Sequence, residues 1–176
     1  VNSFHFIEKL GQHLDSENVV VTDMGTSFTC TMQALKTNSK YRLFTSFALC
    51  PMGFGLPGAI GAYYGSNGKS IVCIAGDGGI QMNIQELQTI IHNKLPIKIF
   101  VLNNNGYALI KQTQETWLNS NYSGVDKKSG LSLPDNCKIA DSYGIKNMVI
   151  NNHKDLNKKL KKVYKKPGPI LIDVKI

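Results

Sequence analysis

The chain reads as an α/β domain of three layers, with a mostly parallel central sheet of about six strands and helices on both faces. Three observations predict this. Short apolar runs recur along the chain at strand length, as in Ser70-Ile71-Val72-Cys73-Ile74-Ala75 and Ile97-Lys98-Ile99-Phe100-Val101-Leu102, and near-continuous apolarity marks strands buried on both faces. Segments of helical periodicity lie between most of these runs, the alternation expected of a parallel sheet. The 176 residues with 42% hydrophobic content fit one domain with a sizeable core.

In chain order, the amphipathic stretch Phe4 to Leu14 predicts a first helix, followed by a strand at Val19 to Thr22. Gly25, Thr26 and Ser27 read as the capped start of a helix running from Ser27 to Leu35. A strand at Tyr41 to Thr45, a helix at Leu56 to Tyr64 and a strand at Ser70 to Ala75 follow. Periodicity predicts a helix at Asn83 to Asn93 and a strand at Ile97 to Leu102. Gly124 to Asn136, with Gly, Ser, Pro and Asp and little periodicity, is the least structured stretch. The chain closes with a strand at Asn147 to Ile150, a helix at Lys154 to Tyr164 and a strand at Ile170 to Val174.

Charge argues against nucleic acid. Six of the eight net positive charges fall between Lys154 and the last residue. There Leu156, Leu160, Val163 and Tyr164 keep helical spacing, so the lysines read as the solvated face of a terminal helix. No apolar run has transmembrane length and nothing at Val1-Asn2-Ser3-Phe4-His5 resembles a signal peptide, so a cytoplasmic protein is expected. Cys30, Cys50, Cys73 and Cys137 show no Cys-x-x-Cys spacing and are expected to be reduced thiols. The missing initiator Met leads us to expect a fragment of a larger multidomain protein. His5, His13, His92 and His153 show no ligand spacing.

The informative pair is Asp77 and Asn104. Asp77 lies in Gly76-Asp77-Gly78-Gly79 and Asn104 in Asn103-Asn104-Asn105-Gly106, each directly after a strand-like run. One β-α-β unit therefore delivers a carboxylate and an amide oxygen to the same sheet edge. Such a pairing suits a hard divalent cation such as Mg²⁺, which takes oxygen ligands and shares its shell with phosphates. The glycines allow backbone amides to approach those phosphates. Taken alone, Asp77 also reads as a turn residue.

Gly-Asp-Gly, 24 residues (79 to 102), then Asn-Asn resembles the thiamine diphosphate signature. The chain, from about Asn18 to its end, is similar to the C-terminal diphosphate-binding domain of the acetolactate synthase and pyruvate decarboxylase superfamily. Thr22-Asp23-Met24-Gly25-Thr26-Ser27 resembles its first phosphate loop, and the segment from Met52 to Ala62 resembles the stretch beneath the cofactor's middle. The resemblance implies a metal held by Asp77, Asn104 and the carbonyl of Gly106. It places Gly25, Thr26, Ser27, Gly76, Gly78, Gly79 and the backbone near Leu109 beside the diphosphate. It gives Met52 the apolar side chain that holds the cofactor bent, with the backbone of Cys50 and Met52 on the pyrimidine edge. Cys50-Pro51 departs from the small residues, often Gly, usual at that point.

The implied activity is decarboxylation of a 2-oxo acid, with protonation of the product or transfer to a second carbonyl (a lyase or transferase). Gln112-Thr113 stands where acetolactate synthases usually carry Gln-Trp, which weakens that particular assignment. In this superfamily a Glu from a separate pyrimidine-binding domain, usually on a partner subunit, activates the cofactor. No matching segment occurs in this chain, so it is expected to be inactive alone and to work in a homodimer or homotetramer.

Two other motifs are set aside. Gly53-Phe54-Gly55-Leu56-Pro57-Gly58 matches a dinucleotide fingerprint, but a Rossmann-type oxidoreductase needs that turn directly after a strand. Gly68-Lys69-Ser70 imitates the end of a phosphate loop, yet precedes a strand and has Tyr63 where the first Gly belongs. A non-catalytic regulatory domain keeping the fold is the remaining alternative; the intact Asp77, Asn104 and Gly106 argue against it.

Overall fold

The computed structural model describes residues 1–37 and 41–176. Six strands, β1 (Asn18–Thr22), β2 (Arg42–Phe44), β3 (Ser70–Gly76), β4 (Lys98–Asn103), β5 (Lys146–Ile150) and β6 (Ile170–Lys175), form one sheet in the order β2-β1-β3-β4-β6-β5. Every pairing is parallel. The helices are α1 (Ser3–Gly11), α2 (Thr26–Ala34), α3 (Gly55–Gly65), α4 (Asp77–Ile80), α5 (Glu86–His92), α6 (Ala108–Trp117), α7 (Asn136–Ser142) and α8 (Leu156–Lys165). The three-layer α/β class read from the sequence is what the chain adopts.

Strand alternation divides the core in two. Val20, Val72, Ile74, Phe100, Leu102 and Ile172 point to one face, where α1, α2 and α8 supply Phe6, Leu10, Cys30, Leu156, Leu160 and Val163. Val19, Val21, Ile71, Cys73, Ile99 and Val101 point to the other, met by Leu56, Ala59, Leu87, Ile90 and Ala140 of α3, α5 and α7. Each fully buried aliphatic contributes about 1.5–3 kcal/mol, so the central strands are fixed from both sides. In α8, Leu156, Leu160 and Val163 are buried while Lys158, Lys161, Lys162 and Lys165 are exposed. The basic stretch is thus the outer face of an amphipathic helix.

The sheet order positions the site. From β1 the chain goes to β2 on one side and then crosses to β3 on the other. That reversal is a topological switch point, where the connections leave the strand ends in opposite directions and open a crevice. The ends of β1 and β3 border it, held together to the last residue by the Asp23 amide, which donates to the Ile74 carbonyl at 2.8 Å.

Three elements differ from the reading of the sequence. The helix expected at Asn83 to Asn93 is shorter, α5 running from Glu86 to His92, and two short elements precede it, α4 at Asp77–Ile80 and a 3-10 turn at Gln81–Asn83. α6 falls between Leu102 and Gly124, where the sequence reading assigns no element; it buries no residue, so no core stripe marks it. α7 lies just beyond the irregular stretch, its first turn capped by Asp135, which accepts from the amides of Cys137 (2.8 Å) and Lys138 (3.1 Å). Gly124 to Asn136 is otherwise irregular, apart from a 3-10 turn at Lys127–Ser129 closed by a capping box between Asp126 and Ser129.

Candidate active site

A cleft of about 440 Å³ opens at the carboxyl ends of β1, β3 and β4. This is an ordinary size for a small-molecule site. Gly25, Thr26, Cys50, Met52, Gly76, Asp77, Gly78, Gly79, Asn104, Gly106 and Leu109 all line it, brought together from four separate loops. Ser27 is the exception among the residues singled out from sequence. It is fully buried, and its hydroxyl donates to the Met24 carbonyl at 2.8 Å, closing the turn that leads into α2.

At one end, the Gly106 amide donates to both Asp77 Oδ2 (3.3 Å) and Asn104 Oδ1 (3.1 Å). The two side-chain oxygens therefore converge on one small volume although they arrive from different strands. Asp77 Oδ1 also accepts from the Gly78 amide at 3.0 Å. Burial raises the Asp77 pKa, opposed by the amides of Gly78, Asn105 and Gly106. Among the described residues no cationic side chain pairs with it, and a buried carboxylate so placed is the kind of group a metal ion would relieve. Among the described residues no cluster of three His, Cys, Asp or Glu could hold a metal. A cation here would need amide, backbone or ligand oxygens, the donor set of Mg²⁺. The residues present fit that ion.

Helix starts open onto the same space. α2 begins after Gly25 (φ 82°) and α6 after Tyr107, neither with a side-chain cap and neither with an acidic residue in its first turn. Free amides and the positive end of the helix dipole make such starts favourable for an anion, by about 0.3–1 kcal/mol per charge. Glycines bring the backbone close to the cleft. A Cβ on Gly78 would run into the Tyr107 ring, and one on Gly106 into the Val125 carbonyl.

Met52 is half-buried and lines the cleft. Cys50 has φ +49°, in the left-handed region, and its Sγ donates to the Phe47 carbonyl at 2.7 Å. The φ explains why glycine would suit this position. Glu86 opens α5 and does not line the cleft; of the carboxylates, Asp77 alone does so among the described residues. The dinucleotide reading fails on position, because residues 45–54 separate β2 from α3. Gly58 serves packing instead: an added Cβ would fall 2.9 Å from the Phe54 ring and 3.1 Å from Val21.

Sequence reading missed Asp23 and Tyr107. Asp23 is 1% exposed and binds two loops at once; its signal was an acid placed directly after Val19-Val20-Val21-Thr22, the end of a strand buried throughout. Tyr107 stands over Gly78 at the start of α6.

Comparison with known proteins shows the family. The family model described as "Thiamine pyrophosphate enzyme, C-terminal TPP binding domain" matches residues 23–174. The acetolactate synthase large subunit of Porphyra purpurea is 38% identical over 155 residues, covering 88% of this chain and 26% of that protein. The isozyme 1 large subunit of Escherichia coli K12 is 31% identical over 176 residues, covering 100% and 31%. That of Buchnera aphidicola subsp. Schlechtendalia chinensis is 41% identical over 139 residues, covering 77% and 24%. The chain thus spans roughly a quarter to a third of the length of these relatives. It belongs to the family of C-terminal thiamine pyrophosphate-binding domains of thiamine pyrophosphate enzymes, of the acetolactate synthase type.

Proposed function

We propose that the chain is the diphosphate- and Mg²⁺-binding half of a thiamine diphosphate-dependent 2-oxo acid decarboxylase or carboligase. The observation that carries this reading is the convergence, on one switch-point cleft, of the Asp77 and Asn104 oxygens with the uncapped starts of α2 and α6. A metal bound to a diphosphate matches both features together: oxygens for the cation, amides for the anion.

In this reading Asp77, Asn104 and the carbonyl of Gly106 hold Mg²⁺. Gly25 and Thr26 take one side of the diphosphate, with Gly76, Gly78, Gly79 and the backbone at Leu109 on the other, while buried Ser27 shapes the turn behind the first loop. Met52 supports the cofactor's middle and the backbone at Cys50 faces its pyrimidine. Bound there, the cofactor supplies the electron sink that decarboxylation of a 2-oxo acid requires. Leu109 and Ile110, 38% and 48% exposed on α6, face the substrate and exclude water.

The site needs a second half. No carboxylate besides Asp77 lines the cleft among the described residues, so the acid that activates the pyrimidine comes from a pyrimidine-binding domain, on a second subunit of a homodimer or homotetramer. Phe47 and Leu49, 68% and 88% exposed and close in sequence to Cys50, are apolar groups such a domain would cover. Among the described residues no helix is long and apolar enough to cross a membrane, and the four cysteines are free thiols; these support a cytoplasmic setting. The test is CO₂ release from 2-oxo acids with thiamine diphosphate and Mg²⁺. The complete protein is expected to turn over and this chain alone is not. Comparable turnover by the chain alone would overturn the half-site reading.

A further inference from the structure

We infer that Asp23 is a positioning residue that fastens the Met52 loop and the start of α3 to the first phosphate loop, setting the middle of the cleft against its diphosphate end. This rests on the function proposed above and extends it to a residue that contributes no atom to the cleft wall.

The geometry is specific. Asp23 Oδ1 accepts from the amide of Met24 at 2.8 Å and from the amide of Gly53, thirty residues on, at 2.9 Å; Oδ2 also accepts from the Gly53 amide at 3.1 Å. The amides of Phe54 and Gly55 face the same carboxylate. These amides mark the start of α3, whose N-cap Phe54 offers no side-chain cap. Asp23 therefore caps α3 from another loop, where a negative group is favoured by the helix dipole.

Glycines make the approach possible on three sides. Gly53 has φ +89°, and a Cβ there would fall 2.6 Å from Met82 Cβ. A Cβ on Gly55 would lie 3.0 Å from Asp23 Cβ, and one on Gly79 would lie 2.6 Å from Asp23 Oδ2. The far side of Gly53 is held as well, its carbonyl accepting from Asn83 Nδ2 at 2.9 Å. Gly53 is thus tied to the loop after β1 through its N–H and to the turn after α4 through its C=O. Met52 precedes it directly, so its position in the cleft follows from these two bonds. A buried charge is costly to keep; burial raises the Asp23 pKa, and the surrounding amides oppose that rise.

Two substitutions separate the tether from a local turn bond. Asp23→Asn keeps the shape but presents an NH₂ where donors already point. Asp23→Ser keeps an acceptor for the Met24 amide and cannot span to Gly53. Hydrogen exchange by mass spectrometry on the ligand-free complete protein reads the tether directly, and thiamine diphosphate titration with Mg²⁺ reads its consequence. In either soluble variant, peptides covering 50–58 are expected to exchange at least about fivefold faster than wild type, while those covering 18–22 and 70–76 are unchanged. Half-saturation for the cofactor is expected to rise at least about tenfold, because a mobile loop must be ordered on binding. A smaller change at 50–58, loosening spread equally over the strands, or unchanged cofactor affinity would overturn the inference. If wild type itself fails to bind thiamine diphosphate, the proposed function falls, while the exchange data still decide whether Asp23 fastens this loop.

Discussion

Asp77 and Asn104, 27 residues apart in the chain, share a single donor: the Gly106 amide lies 3.3 Å from Asp77 Oδ2 and 3.1 Å from Asn104 Oδ1. Two strands are needed to bring these oxygens together, and a parallel crossover is the simplest way to do so. β3 and β4 pair in parallel register from Val72↔Lys98 to Gly76↔Leu102, so their following residues reach the same edge. The metal-binding role proposed for the pair follows from sheet topology as much as from residue type.

Gly106→Ala is expected to disrupt this fork. The added methyl meets the backbone carbonyl of Val125, which cannot rotate away. A destabilisation of about 1–3 kcal/mol is expected, with Mg²⁺-dependent cofactor binding reduced at least about tenfold. Chemical denaturation and calorimetry on one preparation check both. Unchanged Mg²⁺ dependence would show that the fork is not a metal site.

Gly78→Ala should behave differently, because its methyl meets a side chain, the Tyr107 ring. Tyr107→Ala removes the obstacle. The double variant is expected to recover about 1 kcal/mol or more of the stability lost in Gly78→Ala, an interaction energy of the size found between touching residues. Strict additivity of the two single variants would contradict the close approach.

Cys50→Gly removes a side chain from left-handed backbone (φ +49°) at the loss of one thiol contact to the Phe47 carbonyl. Relief of about 1–2 kcal/mol of strain exceeds the roughly 0.5–1 kcal/mol entropic penalty of glycine. A small rise in melting temperature is expected, with cofactor affinity kept, since only backbone atoms are proposed to meet the pyrimidine. A lower melting temperature would show that the thiol holds this loop.

α6 buries nothing, and the polar contacts beside it are what hold it. Lys111 pairs with Asp126 at 2.9 Å, and Gln114 exchanges two hydrogen bonds with Ser123. The hydrogen bond from Lys111, with those from Ser129, holds the Asp126 carboxyl at about 2, below its ordinary 3.8. A lowered folded-state pKa means that the stabilisation is complete above the unfolded value and is lost as pH falls through the folded one. Exchange at 108–130, corrected for its intrinsic pH dependence, should therefore quicken between about pH 4 and 2. Asp126→Asn should show that looseness already at pH 7, with little change in melting temperature. Loosening of wild type between pH 5 and 8 would point to another group.

The sheet was legible because β1, β3, β4 and β6 are buried on both faces, so apolarity alone marks them. The cleft was legible where glycines and oxygen ligands follow strands directly, as at Gly76 to Gly79 and Asn103 to Gly106. α6 was not, since a helix that buries no residue carries no core stripe. α4 was hidden because Gly78 and Gly79 oppose helix on propensity, while Asp77 and Gly76 fix the turn around them. Asp23 escaped because its partners, Gly53 to Gly55, are thirty residues away and are backbone amides. The acid's place directly after β1 is visible in the residue types, but the bond it makes leaves no trace there.

The central claim is that one metal and one diphosphate are bound together at Asp77 and Asn104. Calorimetric titration of the isolated chain with thiamine diphosphate, with and without Mg²⁺, beside Asp77→Ala, tests it most directly. The account predicts weak binding that requires Mg²⁺ and disappears in Asp77→Ala, with the variant still folded. Nanomolar binding without metal, or Mg²⁺-dependent binding that survives Asp77→Ala, would contradict it.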